Sequence, residues 1–223
     1  METSRLPSGA KVIDELLGGG IEEGVVTNLY GPAGSGKTNL CLLFALSALK
    51  KGKVAYIDTE NGFSVERFFQ MGGTKEDLEN VIYEKPSCLS EQEKAIQKLK
   101  KADVSLMVVD SFVALYRLAL SDENATATNK CLAAQLAFLS NLSRAKKIPA
   151  IITNQVYSMN SNEIELSGRD VVKYWSKCLV ELKRVDENRR LAILRKHRSL
   201  PEGKKVEFEI TQTGIEKAKF KIF

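Results

Sequence analysis

The chain has 223 residues, 43% of them hydrophobic, enough to bury a full core within a single α/β domain over 1–223. Four scattered cysteines without a C-x-x-C pair and one isolated histidine, His197, argue against a zinc site or a disulfide framework. No apolar run approaches the ~18 residues of a membrane span and the N-terminus has no signal-like core, so a cytoplasmic protein with no membrane partner is expected. The net charge of +5 is concentrated late: residues 169–223 carry 15 Lys and Arg against 8 Asp and Glu, leaving 18 against 20 before them. A basic final quarter suits a binder of phosphate backbone, or else a solvated Lys/Arg surface.

The Gly18-Gly19-Gly20 run reads as a tight turn ahead of the first strong strand, VVTNLY (25–30). Directly after it stands Gly31-Pro32-Ala33-Gly34-Ser35-Gly36-Lys37-Thr38, which meets G-x-x-x-x-G-K-[ST] at every fixed position, and a helical pattern over 38–51 follows. Strand, glycine loop and helix in that order make a phosphate cradle. The glycines let backbone N–H groups curl around a β-phosphate at a helix N-terminus. Lys37 then lies between β- and γ-phosphates and the Thr38 hydroxyl binds Mg²⁺, so ATP·Mg²⁺ is the expected ligand.

The next strand, VAYID (54–58), also ends in carboxylates. Glu60 is placed to orient and deprotonate a water attacking the γ-phosphate, while Asp58 suits a turn whose N–H groups it satisfies. NVIYE (80–84) and SLMVVD (105–110) read as strands, with a helix over 91–101 between them. Asp110 ends the second run, where α/β sheets gather ligands, and is expected to reach Mg²⁺ through water; capping the following helix is the alternative. A helix over 125–146 leads into PAIITN (149–154), after which Asn154-Gln155 could set an amide at the γ-phosphate. This alternation implies a mainly parallel sheet covered on both faces. Beyond Cys178 the runs CLVELKRV, RRLAILRK, VEFEIT and IEKAKFKIF, broken by DEN and QTG, read as antiparallel strands extending the sheet through hairpins.

Four segments, LPSGAKVIDELLGGGIEEGVVTNLYGPAGSGKTN, VAYIDTENGFSVERF, MVVDSFVALYR and AIITNQV, occur in an order and spacing that resembles the ATPase core of the RecA superfamily, specifically the archaeal RadA-like recombinases. The resemblance runs from about Leu6 to the end of the chain. It implies a RecA-like P-loop core, mainly parallel, flanked by helices and closed by C-terminal antiparallel strands. Full recombinases of this kind carry an N-terminal helical DNA-binding domain and a linker whose Phe docks on the next protomer. Here the core begins within ten residues of Met1, so the chain is most similar to the small archaeal paralogue family RadB.

By that resemblance the loop Gly31 to Gly36 with Lys37, Thr38 and Asn39 contacts the nucleotide, Glu60 is the catalytic acid, Asp110 the second metal acid and Gln155 the γ-phosphate sensor. Arg67, seven residues after Glu60, would stack on adenine. Residues 111–126 correspond to the first DNA-binding loop, where SDENAT replaces a stretch usually rich in Arg and Gly. Residues 157–170 correspond to a shortened second loop.

The segment Arg195-Lys196-His197-Arg198-Ser199-Leu200-Pro201 concentrates basic groups after a strand. In RecA-like assemblies ATP lies between protomers, and residues of this region reach the partner's phosphates. On an extended backbone Lys196 and Arg198 point the same way, which fits a two-pronged cationic finger acting in trans, with Pro201 near a neighbour's adenine. A solvated basic turn, or one touching DNA phosphate, is the alternative, with His197 simply packed or exposed.

The resemblance implies an accessory of homologous recombination and DNA repair that binds ATP and DNA, single-stranded DNA in particular. Hydrolysis would be weak and dependent on DNA or assembly. The implied partners are a RadA-type recombinase, other recombination proteins and further copies of the chain in a homodimer or small oligomer. A signalling ATPase of the KaiC kind is the alternative; a filament-forming recombinase is disfavoured because no docking Phe precedes the core.

Overall fold

The computed structural model describes residues 4–158, 164–166 and 169–218. A short antiparallel pair, β1 (Arg5–Leu6) with β2 (Ile21–Glu22), encloses α1 (Lys11–Leu16). The glycine run closes this pair. A Cβ on Gly20, at φ +134°, would lie 2.1 Å from the Leu6 carbonyl oxygen, so only glycine fits the approach.

The main sheet is built by alternation. Its elements are β3 (Val26–Gly31), α2 (Lys37–Leu49), β4 (Val54–Asp58), α3 (Val65–Gln70), α4 (Lys75–Glu79), β5 (Val81–Glu84), α5 (Leu89–Lys98) and β6 (Leu106–Asp110). They continue with α6 (Ala114–Ala119), α7 (Ala125–Lys146), β7 (Ala150–Ser158), β8 (Ile164–Leu166) and α8 (Arg169–Trp175). Four strands follow: β9 (Cys178–Arg184), β10 (Arg189–Lys196), β11 (Lys205–Thr211) and β12 (Gly214–Lys217). Across the sheet the order is β12-β11-β10-β9-β3-β7-β6-β4-β5, with β8 paired to the end of β7. From β9 to β5 neighbouring strands are parallel, and from β9 to β12 they are antiparallel.

Strands β3, β4 and β6 are buried at every position; β4 and β6 appear in the sequence as apolar runs ending in Asp, while β3 also buries Thr27 and Asn28. Their two-residue side-chain period divides the core into two layers. Val54, Tyr56, Leu106 and Val108 face one layer with Phe44 of α2, Phe68 of α3 and Phe208 of β11. Ala55, Ile57, Met107 and Val109 face the other with Ile96 of α5 and Leu132, Leu136 and Leu139 of α7.

The expected strands and long helices are present, most of them displaced by a residue or two at their ends; β7 runs four residues beyond the expected 149–154, to Ser158, and α7 matches the expected bounds. The helix expected over 91–101 begins earlier, at Leu89, and ends at Lys98. Helices α3, α4, α6 and α8 were not foreseen, because each is a turn or two long and shows little period. The expected last strand is described only as far as Lys217; residues 219–223 lie outside the described part. So does half of the expected second DNA loop, at 159–163 and 167–168; its described parts belong to β7, β8 and α8. No described helix is long and apolar enough to cross a membrane.

Candidate nucleotide site

Because β3, β4, β6 and β7 are parallel, their carboxyl ends meet along one edge. Register sets Gly31 beside Gln155 and Asp58 beside Asp110. The loop leaving β3 turns through Gly34 at φ +70° and Gly36 at φ +97°, conformations that a side chain resists, and delivers Lys37 and Thr38 to the first turn of α2.

Asp110 is the hub of this edge. Its Oδ2 accepts from the Thr38 hydroxyl at 2.8 Å and from the Tyr56 hydroxyl at 2.9 Å, and its Oδ1 accepts from the Thr153 hydroxyl. Burial and the Asp110 charge raise the Tyr56 phenol well above its usual range, so it stays a donor. The Asp110–Ser111 peptide is cis. Thr59 stitches the neighbouring strand end to this point: its N–H reaches the Asp110 carbonyl at 2.8 Å and its hydroxyl donates to the Ser111 carbonyl at 2.7 Å.

The two acids after β4 take different positions. Asp58 is fully buried and accepts from the backbone N–H groups of Glu60, Gly62 and Phe63 and from the Tyr83 hydroxyl, all within 3.2 Å. It is the scaffold of the turn. Glu60 is left exposed to solvent. Partial burial and the Asp110 charge raise its carboxyl above the ordinary value, while Lys37 and Arg117 pull it down. Lys37 is buried and donates to the carbonyls of Gly31 and Pro32 at 3.1 and 2.9 Å; burial lowers its ammonium, opposed by Asp110 and Glu60.

Two arginines frame the loop. Arg67 donates to Asn39 Oδ1 at 2.8 Å and to the Gln212 carbonyl at 2.7 Å, tying α3 to the first turn of α2 and to the β11–β12 turn. Arg190 donates to the Gly34 carbonyl at 2.8 Å and to the carbonyls of Asp186 and Glu187 in the preceding turn. Beside Arg190 a cleft of ≈ 380 Å³ is lined by Gly36, Lys37, Thr38, Asn39, Asn188 and Ile210, among others. Ile210 and Phe208 of β11 lie 3.2 and 3.7 Å from a Cβ placed on Gly36, so the last strands form the floor of the loop.

Arg190, Tyr56 and Thr153 were not singled out from the sequence. Arg190 had left a trace: in RRLAILRK it shares a strand face with buried Ala192 and Leu194 and is itself buried, an anomaly for a charge.

The donor set fits a magnesium nucleotide. The Thr38 hydroxyl and the Asp110 carboxylate are hard oxygen ligands side by side, Lys37 supplies a cation, and the Ser35 hydroxyl is buried in the loop without a partner.

The basic segment lies elsewhere. Arg190 touches the phosphate loop, but Lys196 is six residues further along β10, about 20 Å at ~3.3 Å per residue. Lys196 Nζ donates to the carbonyls of Lys173 and Ser176 at 2.7 and 3.0 Å, closing the end of α8. The chain then turns instead of staying extended: His197 Nδ1 accepts from the N–H groups of Ser199 and Leu200, both at 3.1 Å. Lys196 and Arg198 therefore point to different partners. Arg198 pairs with Glu22 at 2.7 Å, and His197 lies 3.7 Å from the same carboxylate, which also takes Arg5 at 3.3 Å. Pro201 follows this turn and is exposed. In the expected first DNA loop, Tyr116 turns inward to Asn129 at 2.6 Å while Leu118 is 82% exposed.

The family profile described as Rad51 matches residues 1–218. A DNA repair and recombination protein RadB from Methanococcoides burtonii is 42% identical over 219 residues, covering 95% of this chain and 97% of the relative. The RadB of Methanocaldococcus jannaschii is 43% identical over 212 residues, covering 92% and 99%. A crystal structure of the RadB recombinase superposes with a TM-score of 0.82 at 39% identity, covering 96% of this chain and all of the other.

Burial holds His197 below its ordinary value, more than Glu22 raises it, so the unfolded chain binds a proton that the folded chain refuses. Stability present at neutral pH is therefore lost as pH falls through about 6.5, the unfolded value. In urea titrations between pH 7.5 and 5.5, the wild-type midpoint should fall more steeply than that of His197→Gln; parallel curves would remove His197 as the cause.

Proposed function

The chain belongs to the Rad51 family, and on that premise we propose that it is an ATP- and DNA-binding RecA-like paralogue, an accessory of homologous recombination and repair with weak ATP hydrolysis. The observation that carries this reading is the convergence of Lys37, Thr38, Asp110, Glu60 and Gln155 on one strand edge, around a glycine loop of the required form. Thr38 and Asp110 would hold Mg²⁺, and a bound magnesium nucleotide supplies an electrophilic phosphorus with part of its charge offset by the metal. Lys37 exchanges the carbonyls of Gly31 and Pro32 for phosphate oxygens, a stronger charge-assisted pairing. Glu60 takes the proton of a water, a task its raised carboxyl suits because a base works best with a proton affinity near the ambient pH. Arg67, fixed beside Asn39, presents a planar cation to a purine ring. Gln155, next to Gly31, offers an amide to the terminal phosphate.

The strand geometry bears on Lys196 and Arg198. At the far edge of the sheet they cannot serve their own chain's phosphate loop, so any action on nucleotide is across a protomer interface and requires release from α8 and Glu22. This reading makes hydrolysis weak in the isolated chain and stronger when a second copy, a RadA-type recombinase or DNA brings protomers together. DNA, single strands included, is the substrate partner that the family relation and the basic final quarter favour.

Lys37→Ala should weaken binding of a fluorescent ATP analogue by about 10- to 100-fold, the worth of a hydrogen bond to a charged group; unchanged affinity would refute the phosphate-loop assignment. Glu60→Gln should keep that affinity while single-turnover hydrolysis drops by about 10²- to 10⁴-fold. A wild-type rate in this variant would exclude Glu60 as the base. If Lys196 acts in trans, wild-type specific activity should climb with protein concentration, a cation across the interface being worth about 10³- to 10⁵-fold. Lys196→Ala should flatten that climb without loss of nucleotide affinity, and a climb identical to wild type's would eliminate the finger.

A further inference from the structure

At the edge of the sheet opposite the nucleotide site, three helices return to three strands that are neighbours: α2 to β4, α5 to β6 and α7 to β7. The first connection exposes Lys50, Lys51 and Lys53. The second exposes Lys100 and Lys101, and the third Arg144 and Lys147. The connections touch in sequence along the edge: Ser105 donates through its N–H to the Lys53 carbonyl at 2.8 Å, Lys146 Nζ donates to the Ala102 carbonyl, and the Met107 N–H reaches the Pro149 carbonyl at 3.2 Å. A cleft of ≈ 470 Å³ opens between the first two, lined by Lys51, Lys53, Asp103 and Ser105.

A cation in the last turn of a helix is explained by the helix dipole, and Lys98, Arg144 and Lys146 are of that kind. The dipole's influence ends within that turn. Lys51, Lys100, Lys101 and Lys147 follow directly, in turns whose N–H groups still bond helix carbonyls, and Lys53 stands clear of the helix end; helix ends gather single cations, and the adjacency of three connections gathers them into one strip. Few acids balance them: Asp103 lies among them, and Glu23 pairs with Lys51 at 3.7 Å. Acids gather past β4 instead, with Glu76, Asp77 and Glu79 of α4 bounding the basic strip on that side.

We propose that this strip is a second nucleic-acid track, which takes the phosphate backbone of duplex DNA without reading its bases. Three adjacent loops across strands ~4.8 Å apart present a row of exposed ammonium groups, and a duplex carries one phosphate per ~1.7 Å of axis. The row is bounded by acids on one side, which gives the backbone a direction to follow. This inference rests on the DNA-binding reading above and adds to it a surface far from the nucleotide edge, so one protomer could hold a duplex at its base while another strand engages the opposite edge.

The test is a quadruple variant, Lys51→Gln, Lys53→Gln, Lys100→Gln and Lys101→Gln, with a control that removes the same charge from other exposed sites: Lys11, Lys75, Lys85 and Lys94, each to Gln. Duplex affinity is read by fluorescence anisotropy from 50 to 300 mM salt, alongside ATP-analogue affinity. The track variant should lose at least tenfold in duplex affinity at low salt. Its plot of log K against log salt should be shallower by about 0.9 for each phosphate contact removed, with nucleotide affinity unchanged and the control near wild type. An unchanged slope, or an equal loss in the control, overturns the track and leaves the DNA-binding reading standing. Failure of the wild-type protein to bind any DNA overturns both.

Discussion

One buried carboxylate organises the nucleotide edge. Asp110 is at the end of β6, and its two oxygens are taken by hydroxyls from α2, β4 and β7. A carboxylate this deep is tolerable only if its oxygens are hydrogen-bonded, and three hydroxyl donors meet both of them. The same bonds fix the first turn of α2, and with it the phosphate loop, against three different strands. A substitution that removed any one donor would leave charge undercompensated and the loop less tightly held, so binding competence and local stability share the same few atoms.

Several of these relations were open to a reader of the sequence, and the reason is physical. A phosphate cradle needs glycine, lysine and a hydroxyl at set spacing, so residues 31–38 declare themselves locally. Buried parallel strands favour apolar runs, so β4 and β6 do the same. Tyr56 was hidden by that very rule: inside VAYID it reads as one more core residue, and only the fold reveals that its hydroxyl meets Asp110. The basic strip was hidden for a different cause. The first 168 residues are net acidic, and a sum over sequence erases cations that three separate connections bring to one edge. The bend at His197 was hidden as well, because a buried imidazole accepting two backbone N–H groups leaves no periodic mark.

The sheet gives the molecule two poles. The residues of the candidate nucleotide site collect where parallel strands end, and helix C-termini with their lysines collect where the strands begin. The basic turn at Lys196 belongs to the second pole by position, since antiparallel β10 carries the chain away from Arg190. A single strand thus has one arginine on the phosphate loop and a lysine on the α8 terminus, each satisfied by carbonyls at its own end of the strand.

The contact between Arg190 and Gly34 spans 156 residues of sequence. Together with Phe208 and Ile210 beneath Gly36, it means that the loop is finished by strands made well after it. During synthesis, β3 and α2 leave the ribosome long before β10 and β11 exist. Pairings this distant in sequence are slow to form, because the intervening chain must be ordered first. A nascent or truncated chain lacking its last forty residues would carry an intact glycine motif over an unsupported floor. Completion of the loop's support is therefore a late step in the folding of each molecule, one that waits until β10 and β11 have been made.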